Sequence, residues 1–195
     1  MAQDSSQAGF WDTRYRGGVT PWDAGGVPGS LRRWLDGNPR PRRVLVPGCG
    51  TGYEVRAFHE RGHEVHGLDF SAAAVDAAHR ELGELARLVE QGDFFAVEGQ
   101  WDLVYERALM CALPRDHWAA WADKVAALVR PGGLLAGLFY FDDNAKGPPF
   151  GTDQATLDAL LEGVFEMREA VPVPREETPA VFAGREYWQV WERRL

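Results

Sequence analysis

The stretch from Arg43 to Glu54, Arg-Val-Leu-Val-Pro-Gly-Cys-Gly-Thr-Gly-Tyr-Glu, constrains the fold of this chain more than any other. An apolar run breaks into Gly48, Gly50 and Gly52 and passes at once into a helical pattern. Without a Cβ, glycine lets the backbone turn sharply and lie close to a ligand, and the free N–H groups of the following helix favour electronegative atoms. Strand, glycine loop and helix in that order open a nucleotide-binding α/β unit. Gly67-Leu68-Asp69 ends the next apolar run and sets a carboxylate nineteen positions beyond Gly50, about where such folds hold a pair of ribose hydroxyls.

The third glycine position separates two classes of nucleotide. A dinucleotide fold places glycine or alanine there so that helix, strand and pyrophosphate pack closely. This chain carries Tyr53. Gly48, Gly50 and Gly52 at alternate positions suit a ligand without phosphate, such as S-adenosylmethionine, and leave a nicotinamide oxidoreductase as the weaker alternative.

Further along, Glu54 to Arg61 reads as a helix and Glu64 to Leu68 as a strand. Ser71 is placed to cap an alanine-rich helix over 72–82, and Ala86 to Glu90 reads as a short strand. Trp101 to Tyr105 is a fourth strand. A helix over 115–129 closes at Pro131-Gly132-Gly133, before an apolar strand from Leu134 to Tyr140. Strands apolar throughout belong inside a parallel sheet covered by helices. Gln154 to Leu161 reads as helix, and Phe165 to Val173 and Tyr187 to Arg193 as strands joined by a Pro/Glu-rich loop, which implies an antiparallel terminal pair. The expectation is one domain, an α/β Rossmann-like fold with a seven-stranded, mostly parallel sheet, helices on both faces and a C-terminal antiparallel hairpin. In it, 1–40 would form an N-terminal lid segment and 41–195 the core.

Composition narrows the partners. The 195 residues carry 21 Lys and Arg against 29 Asp and Glu, net −8, with no basic stripe, which argues against nucleic acid. No segment reads as a signal peptide or a bilayer-spanning run, so the expectation is a cytoplasmic protein without a membrane partner, and by default a monomer. Cys49 and Cys111 are the only cysteines and fall in no metal-binding spacing, and the five histidines form no ligand motif, so no metal is expected.

Taken together, the glycine loop, Asp69, Gly92-Asp93-Phe94 and Pro131-Gly132-Gly133 resemble the seven-stranded S-adenosylmethionine-dependent methyltransferases. Thr20-Pro21-Trp22-Asp23, Val46-Pro47-Gly48-Cys49-Gly50, Ala108-Leu109-Met110-Cys111-Ala112-Leu113-Pro114 and Gly147-Pro148-Pro149-Phe150 are similar to motifs of the thiopurine S-methyltransferase family, over nearly the whole chain. That family includes enzymes acting on thiopurines, on selenium or tellurium species, and on halide, hydrosulfide and thiocyanate. The resemblance implies a methyltransferase that uses S-adenosylmethionine, yields S-adenosylhomocysteine and serves a small soft nucleophile. A binding module without turnover is the alternative from another class.

By the same resemblance, Gly48, Gly50 and Gly52 pass under the methionine part of the donor, Asp69 takes the ribose, and Asp93 and Phe94 take the adenine. Trp11, Tyr15 and Trp22, in a segment whose glycines suggest loops, fold over as a lid. A sulfonium near aromatic faces gains about 0.5 to 2 kcal/mol. Arg107, at the carboxyl end of the fourth strand, would bind the donor carboxylate or an anionic acceptor. Tyr140, Phe141, Pro149 and Phe150 would wall the acceptor pocket. No general base is assigned, because hydrosulfide and iodide need none; Asp23, Asp142 and Asp143 are candidates for a proton relay to a neutral thiol.

Overall fold

The computed structural model describes residues 4–182 and 184–195. Seven strands form one sheet: β1 (Arg43–Pro47), β2 (Glu64–Asp69), β3 (Val89–Gln91), β4 (Trp101–Arg107), β5 (Val129–Tyr140), β6 (Phe165–Pro172) and β7 (Glu186–Arg193), in the spatial order β3-β2-β1-β4-β5-β7-β6. The first five are parallel. β7 runs antiparallel to both β5 and β6, and this produces the expected terminal pair.

Alternation within the short parallel strands decides which helix covers which face. Val44 and Val46 of β1 look one way, with Tyr105 and Trp188, and are covered by α2 (Gly29–Gly37), α3 (Tyr53–Glu60) and α4 (Ala72–Leu82) through Leu31, Trp34, Val55, Phe58 and Ala78. Leu45 looks the other way, with Val104 and Leu135. Its cover is α5 (Trp118–Leu128) and α6 (Gln154–Leu161), which bring Trp118, Trp121, Leu157 and Leu161. Ser71 caps α4 as expected, its Oγ accepting the Ala74 N–H at 3.2 Å.

Four sequence expectations are corrected. Residues 83–88 form a 3-10 helix, so the third strand begins only after Leu88 and is confined to Val89–Gln91. Pro131-Gly132-Gly133 does not close a helix but lies inside β5, where the pairing with β4 is irregular between Trp101 and Leu103. Trp11 and Tyr15 stand on a helix, α1 (Ala8–Arg16), where loops were expected, whereas Trp22 lies in the turn that follows. Finally, part of the 1–40 segment belongs to the core. α2 buries Leu31, Trp34 and Leu35 in the core, and Arg33 grips Glu177 with two hydrogen bonds of 2.9 Å.

The carboxyl ends of β1, β2 and β4 point to one edge of the sheet, where open α/β sheets bind ligands. α1 and the loop to Asp23 lie across that edge.

Candidate active site

A cavity of about 570 Å³ opens there, within the range of small-molecule sites. Its floor is the loop after β1. Gly50 adopts φ +52°, and a Cβ on it would stand 2.6 Å from the Tyr15 hydroxyl, so backbone and lid touch where no side chain fits. Gly52 has a different task. At φ +84° it caps α3 and faces Leu82 of α4, and unlike Gly48 and Gly50 it does not line the cavity.

Asp69 braces this floor. Its Oδ2 accepts the Gly50 N–H at 3.1 Å and its Oδ1 accepts the Ser71 N–H at 2.9 Å. Each oxygen keeps a lone pair for a ligand hydroxyl. Burial pushes the carboxyl up to about 6, and the two backbone N–H groups pull partly against that shift.

The lid is an aromatic cluster with polar clasps. Trp22 meets Trp11 edge-on at 5.2 Å and Tyr15 at 6.0 Å between ring centroids, and its indole N–H donates to the Tyr15 oxygen at 3.4 Å. All three rings line the cavity. Asp12, on α1, accepts from the Ser71 hydroxyl at 2.7 Å and the Ala73 N–H at 3.1 Å, so a lid carboxylate holds the amino end of α4. Asp23 accepts from the Thr51 hydroxyl at 2.8 Å and fastens the lid to the glycine loop. Nothing in the sequence marked Asp12, because its partners lie about sixty positions away and the α1 pattern is weakly amphipathic.

Asp93 and Phe94 also line the cavity, and so does Phe95. Asp93 accepts the Phe95 N–H at 2.9 Å, which turns the chain so that Phe94 is buried among core residues while Phe95 remains half-buried at the wall.

Opposite this end stands Arg107, which lines the cavity together with Pro149, Cys111 and Phe182. Its partner is Glu54 in the first turn of α3, Nε to Oε1 at 3.5 Å, both side chains largely buried. The neighbour Glu106 points to the other face and accepts the N–H groups of Leu109 at 2.9 Å and Met110 at 3.0 Å. That turn forces Ala108 to φ +58°, a conformation L side chains resist.

The acceptor wall differs from expectation. Tyr140, Phe141 and Phe150 do not line the cavity. Tyr140 sits behind Cys111 and Phe182, with its hydroxyl donating to Asp142; Phe141 packs against Tyr187, ring centroids 5.1 Å apart; Phe150 is drawn into the core beside Gly147, its N–H donating to the Cys111 carbonyl at 2.7 Å. A strand alternates its side chains, so Tyr140 and Phe141 could not both face one pocket. Neither is a proton relay assembled from the three candidate aspartates: Asp23 is tied to Thr51, Asp142 is held by Tyr140 and Arg185, and neither Asp142 nor Asp143 reaches the cavity. The side chains sequence reasoning missed on this side are Glu54 and Phe182, which line the cavity, and Glu186, which is buried and does not line it.

The chain resembles known proteins along nearly its whole length. The profile of the thiopurine S-methyltransferase family matches residues 6–194. The chain belongs to that family. Thiocyanate methyltransferase 1 of Brassica oleracea is 30% identical over 190 residues, 93% of this chain and 82% of the relative. A thiopurine S-methyltransferase of Vibrio cholerae is 32% identical over 176 residues, 79% of this chain and 80% of the relative. Among solved structures, the Burkholderia thailandensis 1,6-didemethyltoxoflavin-N1-methyltransferase, with bound 1,6-didemethyltoxoflavin and S-adenosylhomocysteine, superposes with a TM-score of 0.74 at 20% identity. It covers 96% of this chain and 87% of its own, which establishes the shared fold. Among the described residues no helix is long and apolar enough to cross a membrane.

Proposed function

We propose that the protein transfers the methyl group of S-adenosylmethionine to a small soft nucleophile, with Gly48, Gly50, Asp69, Asp93, Phe95 and the lid rings holding the donor and Arg107 facing the acceptor. The observation that carries the reading is Asp69 braced by the Gly50 and Ser71 N–H groups directly under the aromatic lid. The residues fit such a donor. A carboxylate with free lone pairs suits a ribose, a floor without side chains suits close approach, and electron-rich rings suit a sulfonium. When bound, the donor supplies an electrophilic methyl group.

What the chain itself does is hold, orient and dry. Asp69 and Gly50 fix one end of the ligand, and the lid rings exclude water, so that an anion entering beside Arg107 loses hydration and gains the guanidinium in return. No general base is required for an acceptor that arrives anionic. The buried thiols of Cys49 and Cys111 are raised well above the ordinary range by burial first, which keeps both protonated and neither a competing nucleophile. Free buried thiols fit a reducing compartment, and a cavity of this size in a chain of net −8 favours a small-molecule substrate over nucleic acid. We read the working form as a monomer, which size-exclusion chromatography checks.

Calorimetry tests the donor assignment. Wild type should bind S-adenosylhomocysteine and not NAD, and Asp69→Asn should weaken it by about tenfold to a hundredfold, the worth of hydrogen bonds to a charged group. Preference for NAD, or an unchanged affinity in Asp69→Asn, would overturn it.

A further inference from the structure

Arg107 has a second acidic neighbour that the proposed reaction leaves unused. Glu186 opens β7 opposite Tyr140 of β5, and is 3% exposed. Arg107 stands beside Leu138, and Leu138 beside Trp188, so Glu186, two residues from Trp188, projects from the same face of the sheet one step nearer the cavity edge. Two strand spacings and one two-residue step give about 12 Å between the two Cα atoms, a gap these long side chains span between them. Each responds to the other's charge: the guanidinium pulls the Glu186 carboxyl down, and the carboxylate pushes Arg107 up.

The charges do not balance. On this face one guanidinium meets two buried carboxylates, Glu54 from α3 and Glu186 from β7. Tyr105 and Cys111 also feel Glu186 and are neutral. Burial pushes the Glu54 carboxyl up as well, but Arg107 Nε, 3.5 Å away, and the amino end of its own helix both favour its charge. Glu186 has no such helix, and burial pushes its carboxyl up to about 7 despite Arg107. Arg107 Nη1 is buried with no well-formed hydrogen bond, its polar neighbour being the neutral and equally buried Tyr105 hydroxyl. An anion brought to that nitrogen with both carboxylates ionised would make the cluster doubly negative in a desolvated place.

We propose that Glu186 sets the acceptor specificity of this enzyme: anionic acceptors bind at Arg107 together with a proton taken up by Glu186, whereas neutral acceptors bind without one. Glu186 acts through Arg107 and is a positioning residue. The proposal rests on the methyltransferase reading and specifies its acceptor as an anion. With Glu186 protonated, the guanidinium, Glu54 and a monovalent anion leave the cluster singly negative, and the sulfonium of the donor brings the sum to zero in the reactive complex.

Sodium iodide is the probe, since iodide neither gains nor loses a proton. Titrated calorimetrically into the protein saturated with S-adenosylhomocysteine, in two buffers of different ionisation heat at pH 8, iodide should bind with uptake of close to one proton, and its Kd should rise about tenfold per pH unit above pH 7. Glu186→Gln should bind iodide with no proton uptake and a Kd that does not vary from pH 7 to 9. The variant also separates Glu186 from Glu106, which lies on the opposite face and is likewise pushed up to about 7, and from His117 at the cavity wall. A pH-independent Kd in wild type, no iodide binding at all, or the wild-type profile persisting in Glu186→Gln would overturn the proposal. A pH-independent Kd in wild type overturns the proposal even if the variant fails to fold. Retained S-adenosylhomocysteine binding and turnover of a neutral thiol would then show that only this inference, and not the methyltransferase reading, had failed.

Discussion

The Asp69 end of the cavity, proposed as the donor half, and the Arg107 end, proposed as the acceptor half, are built on different principles. Around Gly50 and Asp69 the contacts are backbone N–H groups met by carboxylates, each polar group has a partner, and the lid is clasped twice, by Asp12 and by Asp23. Around Arg107 the contacts are side chain to side chain, the charges are unequal, and one guanidinium nitrogen is left over. A satisfied half holds one ligand in one way. An unsatisfied half stores demand for a counter-charge, and its chemistry follows from which acceptor answers that demand.

The difference is broken most severely at Arg107. Arg107→Ala should abolish turnover with anionic acceptors and also lower folding stability by about 3 to 5 kcal/mol, because Glu54 is left as an uncompensated buried charge. Chemical denaturation measures the second effect. Pairing Arg107→Met with Glu54→Gln should restore much of the stability without the activity, which separates the structural part of the cluster from its binding part.

Gly50→Ala tests the donor half. The substitution strains a left-handed residue and drives a Cβ against the Tyr15 hydroxyl, so donor affinity should fall by more than about tenfold while acceptor-side properties persist. Tyr15→Phe in the same chain should recover part of the loss. A Gly50→Ala protein with wild-type affinity would show that the lid does not sit against the floor when the donor is bound.

Trp22→Ala is milder. It removes one ring of the lid cluster and should cost donor binding about 0.5 to 2 kcal/mol, the worth of a cation held against an aromatic face, without unfolding the domain.

The last effect leaves binding untouched and is read only as a change of stability with pH, at Glu106 on the opposite face of the sheet. Burial raises Glu106 to about 7, with the Leu109 and Met110 N–H groups pulling it down. A raised folded pKa means stability present below the unfolded value of about 4.3 and lost as pH climbs through about 7, with a slope of at most about 1.4 kcal/mol per unit. Glu106→Gln keeps an acceptor for both N–H groups and cannot ionise. Its stability relative to wild type should therefore rise between pH 5 and 8, as thermal unfolding across that range would record.

The two halves also differ in how far the sequence discloses them. The parallel sheet, Ser71 as a cap, the antiparallel end and the donor floor follow from local patterns, because a left-handed turn demands glycine and a ribose demands a carboxylate at the end of the next strand. The acceptor half draws Arg107 from β4, Glu54 from α3, Glu186 from β7 and Phe182 from the loop before it. No periodicity links such positions, and only the strand order, with β7 inserted beside β5, brings them together. The same cause misplaced Tyr140, Phe141 and Phe150: nearness in sequence to the cavity edge says nothing of which way a strand residue points. Trp11 and Tyr15 were recognised while their helix was not, since α1 holds its place through Asp12 bonded to the amino end of α4 rather than through a marked apolar stripe.

The most direct measurement is S-adenosylhomocysteine release by wild type with S-adenosylmethionine present and hydrosulfide, iodide, thiocyanate, an aromatic thiol and a thiopurine supplied one at a time. The account predicts release with the small anions, strongest near and below neutral pH for iodide and thiocyanate. Donor binding with no release on any of these acceptors would contradict it and leave a binding module in place of an enzyme.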